Sequence, residues 1–351
     1  MLLERVRVVG LGPFEAIELD LCERPGEPRA LTVLAGDGGT GKSTLLAAVS
    51  ATRPGNHVVQ TSVYRRPGTK PQTVCHWRLA AEDPERPHAL VVATPGTSAG
   101  ADDKAEQLRR REVVHFDREL AAKGGFAFVG IPGTRRFPRA NLVIGDPART
   151  ILRQDTRGAP GFQDASGVDL TRAVKLILAY AKLSSALAGD RRGEAGADPR
   201  SLGAAIDAGM GELLAPVGHL YRGLDPRTFE PRFETPTGEL LPFDALAMQV
   251  RQLVAIVALS THQLWVAHRG ADPRECEGVV LIDDVDLHLS TGTQLELLPR
   301  LRRVLPRVQW VVSTNSPVLA HSVSVGELVT LRRDAESARI QAYEGELSLT
   351  H

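Results

Sequence analysis

Residues 36 to 44 read Gly36-Asp37-Gly38-Gly39-Thr40-Gly41-Lys42-Ser43-Thr44, the G-x-x-x-x-G-K-[ST] spacing of a phosphate loop. The four glycines let successive backbone N–H groups converge on phosphate oxygens with no β-carbon in the way. Lys42 stands where an ammonium reaches the β- and γ-phosphates, and Ser43 offers a hydroxyl to magnesium. A nucleoside triphosphate with Mg2+ is therefore the expected ligand, and a glycine-rich turn with a chance lysine is the bland alternative. Such a loop needs a carboxylate at the end of a buried strand to hold the metal shell and orient water. The apolar run Val279-Val280-Leu281-Ile282 ends in Asp283-Asp284 and supplies one. Asp283 is the candidate magnesium ligand, acting through water, and Asp284 the candidate group that polarises the nucleophile. The same pair also reads as a strand-end turn with two solvated acids.

The elements that must position these residues can be read from periodicity. Leu31 to Ala35 is a short β-rich stretch before the loop, and Leu45, Leu46 and Val49 recur at helical spacing after it. Ahead of both, Val6 to Val9, a turn at Gly10-Leu11-Gly12-Pro13 and the alternation of Ile17, Leu19 and Leu21 predict a hairpin. Short β pieces follow at 57–59, 73–77 and 90–93, with a small polar loop at 96–106. Leu170, Val174, Ile177, Leu178, Ala181 and Leu187 suit a helix, so 150–235 reads as a helical lobe between an N-terminal part, 1–149, and a C-terminal part, 236–351. A long helix is expected from Asp244, as N-cap, to His268. Leu295, Leu298, Leu301 and Leu305 predict another, before a strand over 308–314.

Composition narrows the class. In 351 residues, 42 basic side chains balance 42 acidic ones, so no global field draws the chain to nucleic acid or anionic lipid. Three distant cysteines without a C-x-x-C pair argue against a disulfide framework or zinc site and fit a reducing cytoplasm. No run approaches the length of a membrane span, and the first residues lack a signal-peptide core. Arginines cluster at 109–111, at 135, 136 and 139, at 300–303 and at 332–333. Each cluster reads either as a phosphate-backbone contact or as a solvated face, so DNA remains a possible partner.

About 240 residues separate loop from acid pair, and no N-K-x-D motif is present, unlike the layout of small GTPases. The hairpin Val8 to Phe14, the loop region Leu31 to Leu46, Val279 to Leu289 and Val308 to Leu319 together resemble the RecF/SMC-like, ABC-type ATPases of the stand-alone bacterial AAA ATPase-domain kind. That resemblance implies an α/β P-loop NTPase fold of ABC/SMC type, a mixed sheet with an N-terminal antiparallel β subdomain and an inserted helical lobe. It implies a Q-loop, a signature motif, the acid pair and a switch histidine around ATP held between two subunits, hence a homodimer or an assembly with an effector protein. Gln60 reads equally as the Q-loop glutamine at the metal or as an exposed strand-end residue. His288 reads equally as a seam residue or a helix-start histidine.

Three positions depart from the family's pattern. Asp283-Asp284 replaces Asp-Glu, Thr314-Asn315-Ser316-Pro317 replaces Thr-His-Ser-Pro, and Leu246-Ala247-Met248-Gln249 stands where Leu-Ser-x-Gly is usual. A carboxylate shortened by one methylene withdraws its oxygens by roughly 1 to 1.5 Å, enough to cost about 10²-fold in rate. Asn315 can hydrogen-bond a γ-phosphate but cannot take a proton. The expected function is thus a slow ATPase whose nucleotide state controls a partner, in DNA maintenance or antiphage defence as the resemblance implies. The alternative is an impaired nucleotide-binding pseudo-ATPase serving as a structural or regulatory subunit.

Overall fold

A computed structural model describes residues 2–52, 68–78, 90–94, 127–145, 147, 170–188, 198–335, 337 and 339–345. The chain opens with the expected hairpin, β1 (Leu2–Leu11) and β2 (Phe14–Asp20). Pairing continues to Leu11–Phe14, so the turn is tighter than its glycine content predicts and consists of Gly12-Pro13 alone. A small ribbon of β3 (Cys22–Arg24) and β4 (Glu27–Pro28) precedes β5 (Leu31–Ala35), the glycine loop and α1 (Lys42–Ala51). β6 (Gln72–Arg78) and β7 (Leu90–Thr94) complete an antiparallel sheet in the order β2-β1-β6-β7. The segments 57–59 and 96–106 lie outside the described residues.

β8 (Phe128–Ile131) is followed by α2 (Leu170–Leu187), where helical spacing puts it, and by α3 (Pro199–Leu214), capped by Asp198. Part of the stretch read as a helical lobe is instead β structure. β9 (Leu220–Leu224), β10 (Pro231–Glu234) and β11 (Leu240–Pro242) form an antiparallel sheet in the order β11-β10-β9. Fully buried Phe233 anchors it, its ring 5.2 Å from that of Tyr221 and 6.4 Å from that of Phe243.

α4 (Met248–Ala267) starts later than the sequence suggests, with Ala247 at its N-cap and no side-chain cap. Asp244 cannot cap it, because it lies in a 3-10 turn and its carboxylate is 2.7 Å from Nζ of Lys175. Lys175 is itself buried, and also donates to Ala140 O and Glu230. Arg251 fastens the turn from inside the helix, donating to the carbonyls of Leu246, Asp244 and Phe137. Next come β12 (Gly278–Ile282), α5 (Thr291–Val304), β13 (Val308–Thr314), α6 (Pro317–His321), β14 (Leu328–Arg333) and β15 (Ile340–Glu344). In α5 the inward face is Leu297, Leu298, Leu301 and Val304, while Leu295 is half exposed.

The central sheet has the order β15-β14-β5-β13-β12-β8. Its strands run parallel from β14 to β8, and β15 returns antiparallel. Because side chains alternate along a strand, each central strand feeds two cores. Val33, Val280, Ile282, Trp310 and Val312 join the core under α2 to α5. Leu34, Val279, Leu281 and Val311 join the core shared with α1 and the N-terminal sheet. Each such side chain contributes about 1.5–3 kcal/mol by burial, so the strand ends that carry the loops are rigidly held. Gln309, on β13 between the two sheets, is accommodated by pairing its amide with both backbone groups of Leu3, at 2.7 and 2.9 Å.

Candidate nucleotide site

β5, β13 and β12 are neighbours, and their ends bring the glycine loop, Asn315 and the acid pair together. In the loop, Gly36, Gly39 and Gly41 take φ of 143, 81 and 94°, whereas Gly38 does not use the left-handed region its residue type permits. The demands differ by position. A β-carbon on Gly36 would lie 2.3 Å from the carbonyl oxygen of Leu331, and one on Gly41 would lie 2.5 Å from the Phe14 ring. At Gly38 and Gly39 it would meet nothing within 4 Å, which leaves open approach to their backbone. Thr40 is buried and donates to Asp37 O at 2.8 Å, and Gly12 crosses so near Thr44 that a β-carbon there would be 2.8 Å from its methyl. Gly41 caps α1 without a side chain, and Ser43 is exposed in the first turn.

Lys42 is buried at 6 % exposure and donates to Gly36 O, Asp37 O and Asn315 Oδ1 at 2.6, 2.9 and 2.8 Å. Burial pulls its pKa down, opposed by the charges of Asp284, Asp283, Asp37 and Asp286. The Asn315 amide group then donates to Asp284 Oδ1 at 3.1 Å. Oxygen toward ammonium and nitrogen toward carboxylate is the orientation that both charges demand.

Asp283 is nearly fully buried and accepts a 2.5 Å hydrogen bond from the Ser313 hydroxyl, which in turn accepts from the Asp284 N–H at 2.8 Å. Asp284 sits at φ 45°, in the left-handed region. Burial, then Asp283 and Asp286, push its pKa upward, and Lys42 and Arg135 oppose them. A carboxylate so shifted is a stronger proton acceptor than a solvated one. Thr314 donates to Asp286 at 2.5 Å, and Gln252 of α4 donates to Val285 O at 2.9 Å.

The residues fit Mg-ATP. An uncapped helix start, open backbone at Gly38 and Gly39, and a buried lysine held only by carbonyl oxygens suit a polyphosphate. Among the described residues no group of three or more His, Cys, Asp or Glu could hold a metal.

Gln60 and Arg109 to Arg111 lie outside the described residues. His288 is exposed, at φ 63°, in the turn after the acid pair. In the signature-like segment, Leu246 is buried, and Gln249 accepts from Ser290 N–H and donates to Thr293, so it is turned onto α5 of its own chain. The arginines at 300, 302 and 303 are paired with Glu212, Glu296 and Glu327, Arg302 and Arg303 while half exposed, and Arg135 is buried. Gly133, Ser313 and Gln252 carry no signal in sequence spacing, and Arg135 reads there only as part of a basic cluster. Arg135 donates to the carbonyls of Asp283 and Asp284 across about 150 residues, a partnership no local pattern announces. No helix among the described residues is long and apolar enough to cross a membrane.

The fold is that of SMC head domains. An SMC head solved bound to the C-terminal winged-helix domain of ScpA superposes with a TM-score of 0.52 at 13% identity, over 99% of this chain and 98% of that one. Among curated proteins, the chain is 26% identical over 104 residues to the Retron Ec83 probable ATPase of Escherichia coli, which is 29% of this chain and 19% of the relative. It is 31% identical over 81 residues to the Septu protein PtuA of Bacillus mycoides, 23% of this chain and 11% of that protein. The match thus spans less than a fifth of either relative's length. No family model matches the chain. The resemblance to RecF/SMC-like ATPases read from the motifs stands at the level of the fold.

Proposed function

We propose that the chain binds Mg-ATP between loop 36–44 and the acid turn, hydrolyses it slowly, and uses the nucleotide state to control a partner protein in DNA maintenance or antiphage defence. The observation that carries this reading is the link Lys42–Asn315–Asp284, which joins the phosphate-seeking lysine to the candidate base in one site. Lys42 and the N–H groups of the loop would bind and orient the phosphates. Ser43 and Asp283 would hold magnesium, which when bound neutralises charge on the phosphates. Asp284 would orient the attacking water and receive its proton, and Asn315 would sense the γ-phosphate in exchange for Lys42. The division into 1–149, 150–235 and 236–351 belongs to this reading, with the middle part as the element that answers to nucleotide. A homodimer or an assembly with an effector is supported by the SMC-head fold and by the winged-helix partner named for one solved relative. The names of the retron and Septu relatives favour defence. A cytoplasmic location fits three free cysteines.

The inward turn of Gln249 favours a second reading, a nucleotide-binding subunit with impaired turnover, since this segment is committed to α5 rather than to an opposing molecule. Phosphate release by purified protein, compared with Lys42→Ala, separates the two. Release above the variant supports the enzyme; ATP affinity with no release above it leaves the regulatory subunit.

A further inference from the structure

The turn after β8 has no role in the reading above, yet it lies against the acid pair. A β-carbon on Gly133 would stand 2.9 Å from Oδ2 of Asp284 and 3.1 Å from Oδ2 of Asp283. Two residues on, Arg135 is 6 % exposed, and it bonds main-chain oxygens here rather than either carboxylate. Nη1 donates to the carbonyl oxygens of Asp283, at 2.6 Å, and Pro132, at 3.0 Å, while Nη2 donates to that of Asp284 at 2.6 Å.

Those two carbonyls belong to the peptide units on either side of the Asp284 α-carbon. Holding both planes with one rigid fork fixes φ and ψ of Asp284, and with them the direction of its Cα–Cβ bond. That matters because Asp284 is at φ 45°, which an aspartate leaves readily when nothing restrains it. A guanidinium is suited to this because its donors are coplanar and fixed in spacing; an ammonium has no such fork. The absent side chain at 133 keeps the space beside both carboxylates clear, where the reading above needs water.

We propose that Arg135 is a positioning residue for the candidate base Asp284, clamping the left-handed turn that aims its carboxylate, and that Gly133 keeps a side chain from crowding both carboxylates. The proposal rests on the ATPase reading for its consequence in rate, and on the geometry alone for its consequence in the turn.

The test compares Arg135→Lys and Gly133→Ala with the unaltered chain. Fluorescent-nucleotide titration counts binding sites, single-turnover hydrolysis is normalised to those sites, and amide exchange is followed across 283–287 and 308–314. In Arg135→Lys, affinity stays within about threefold, the rate per bound nucleotide falls about 10²-fold, and exchange across 283–287 accelerates about tenfold while 308–314 is unchanged. Gly133→Ala lowers the rate without accelerating exchange. Fewer binding sites with an unchanged rate per site would mean that Arg135 only supports folding, and would overturn the proposal. If the unaltered chain shows no hydrolysis above Lys42→Ala, the ATPase reading has failed by itself; equal protection of 283–287 in Arg135→Lys then overturns the clamp independently.

Discussion

The ammonium of Lys42 donates to the side-chain oxygen of Asn315 at 2.8 Å, across 273 residues of sequence. One end of that contact closes a glycine loop and the other leads to Asp284, so an incoming γ-phosphate would compete with Asn315 for the lysine. Lys42→Ala removes a charged donor worth about 1.5–3 kcal/mol, or about 10- to 150-fold in affinity. Titration with a fluorescent ATP analogue checks this, and an unchanged Kd would show that the loop does not hold phosphate.

Asp284→Asn keeps the shape of the side chain and an acceptor for Asn315 but removes the proton-accepting charge. Turnover should fall about 10²- to 10⁴-fold with ATP affinity retained. Phosphate release and nucleotide titration on the same preparation check the split; an unaffected turnover would remove Asp284 from the mechanism.

Lys175 offers a test of the fold at a distance from the site. It is 1 % exposed and bonds Asp244, Glu230 and Ala140 O. Lys175→Met strands two carboxylates around an apolar group and should cost about 3–5 kcal/mol. Adding Glu230→Gln and Asp244→Asn should recover part of that loss, as read by denaturant midpoints.

His262 is buried in α4 beside Trp265, and burial holds its pKa down to about 4. The unfolded state binds the proton more tightly, so stability is full above the ordinary histidine range and declines as pH falls from about 6.5 through about 4. At about 1.4 kcal/mol per unit the drop is on the order of 3 kcal/mol. His262→Leu should flatten that part of the profile, measured as urea midpoints against pH. An identical acid slope in the variant would assign the loss to carboxylates instead.

Legibility followed the range of the interactions. The glycine loop and the apolar run ending at Asp283 are local patterns whose chemistry dictates residue type, and β5, α1, β12 and β13 lie where those patterns put them. Asp244 illustrates the opposite case. Its side chain is a good cap in isolation, but Lys175, 69 residues away, claims it, and the helix start moves to Met248. The segment of β9 to β11 holds Gly223, Pro226, Pro231 and Pro236, which argue against a helix, but its short strands show no clean alternation and are organised by Phe233 against Tyr221 and Phe243. Arg135 sits in a run of arginines that sequence reads as surface, and only the closeness of β8 to β12 turns it inward.

β5 lies between β13 and β14, and Gly36 presses against the carbonyl of Leu331. A ribosome that has finished the glycine motif must still add almost the whole remaining chain before either flanking strand exists. Until then the loop has the right letters but no walls, and a nascent or truncated product ending near residue 300 would carry the motif intact without either strand that flanks it. The loop's surroundings are completed late, when the last parallel strands close over a segment made among the first.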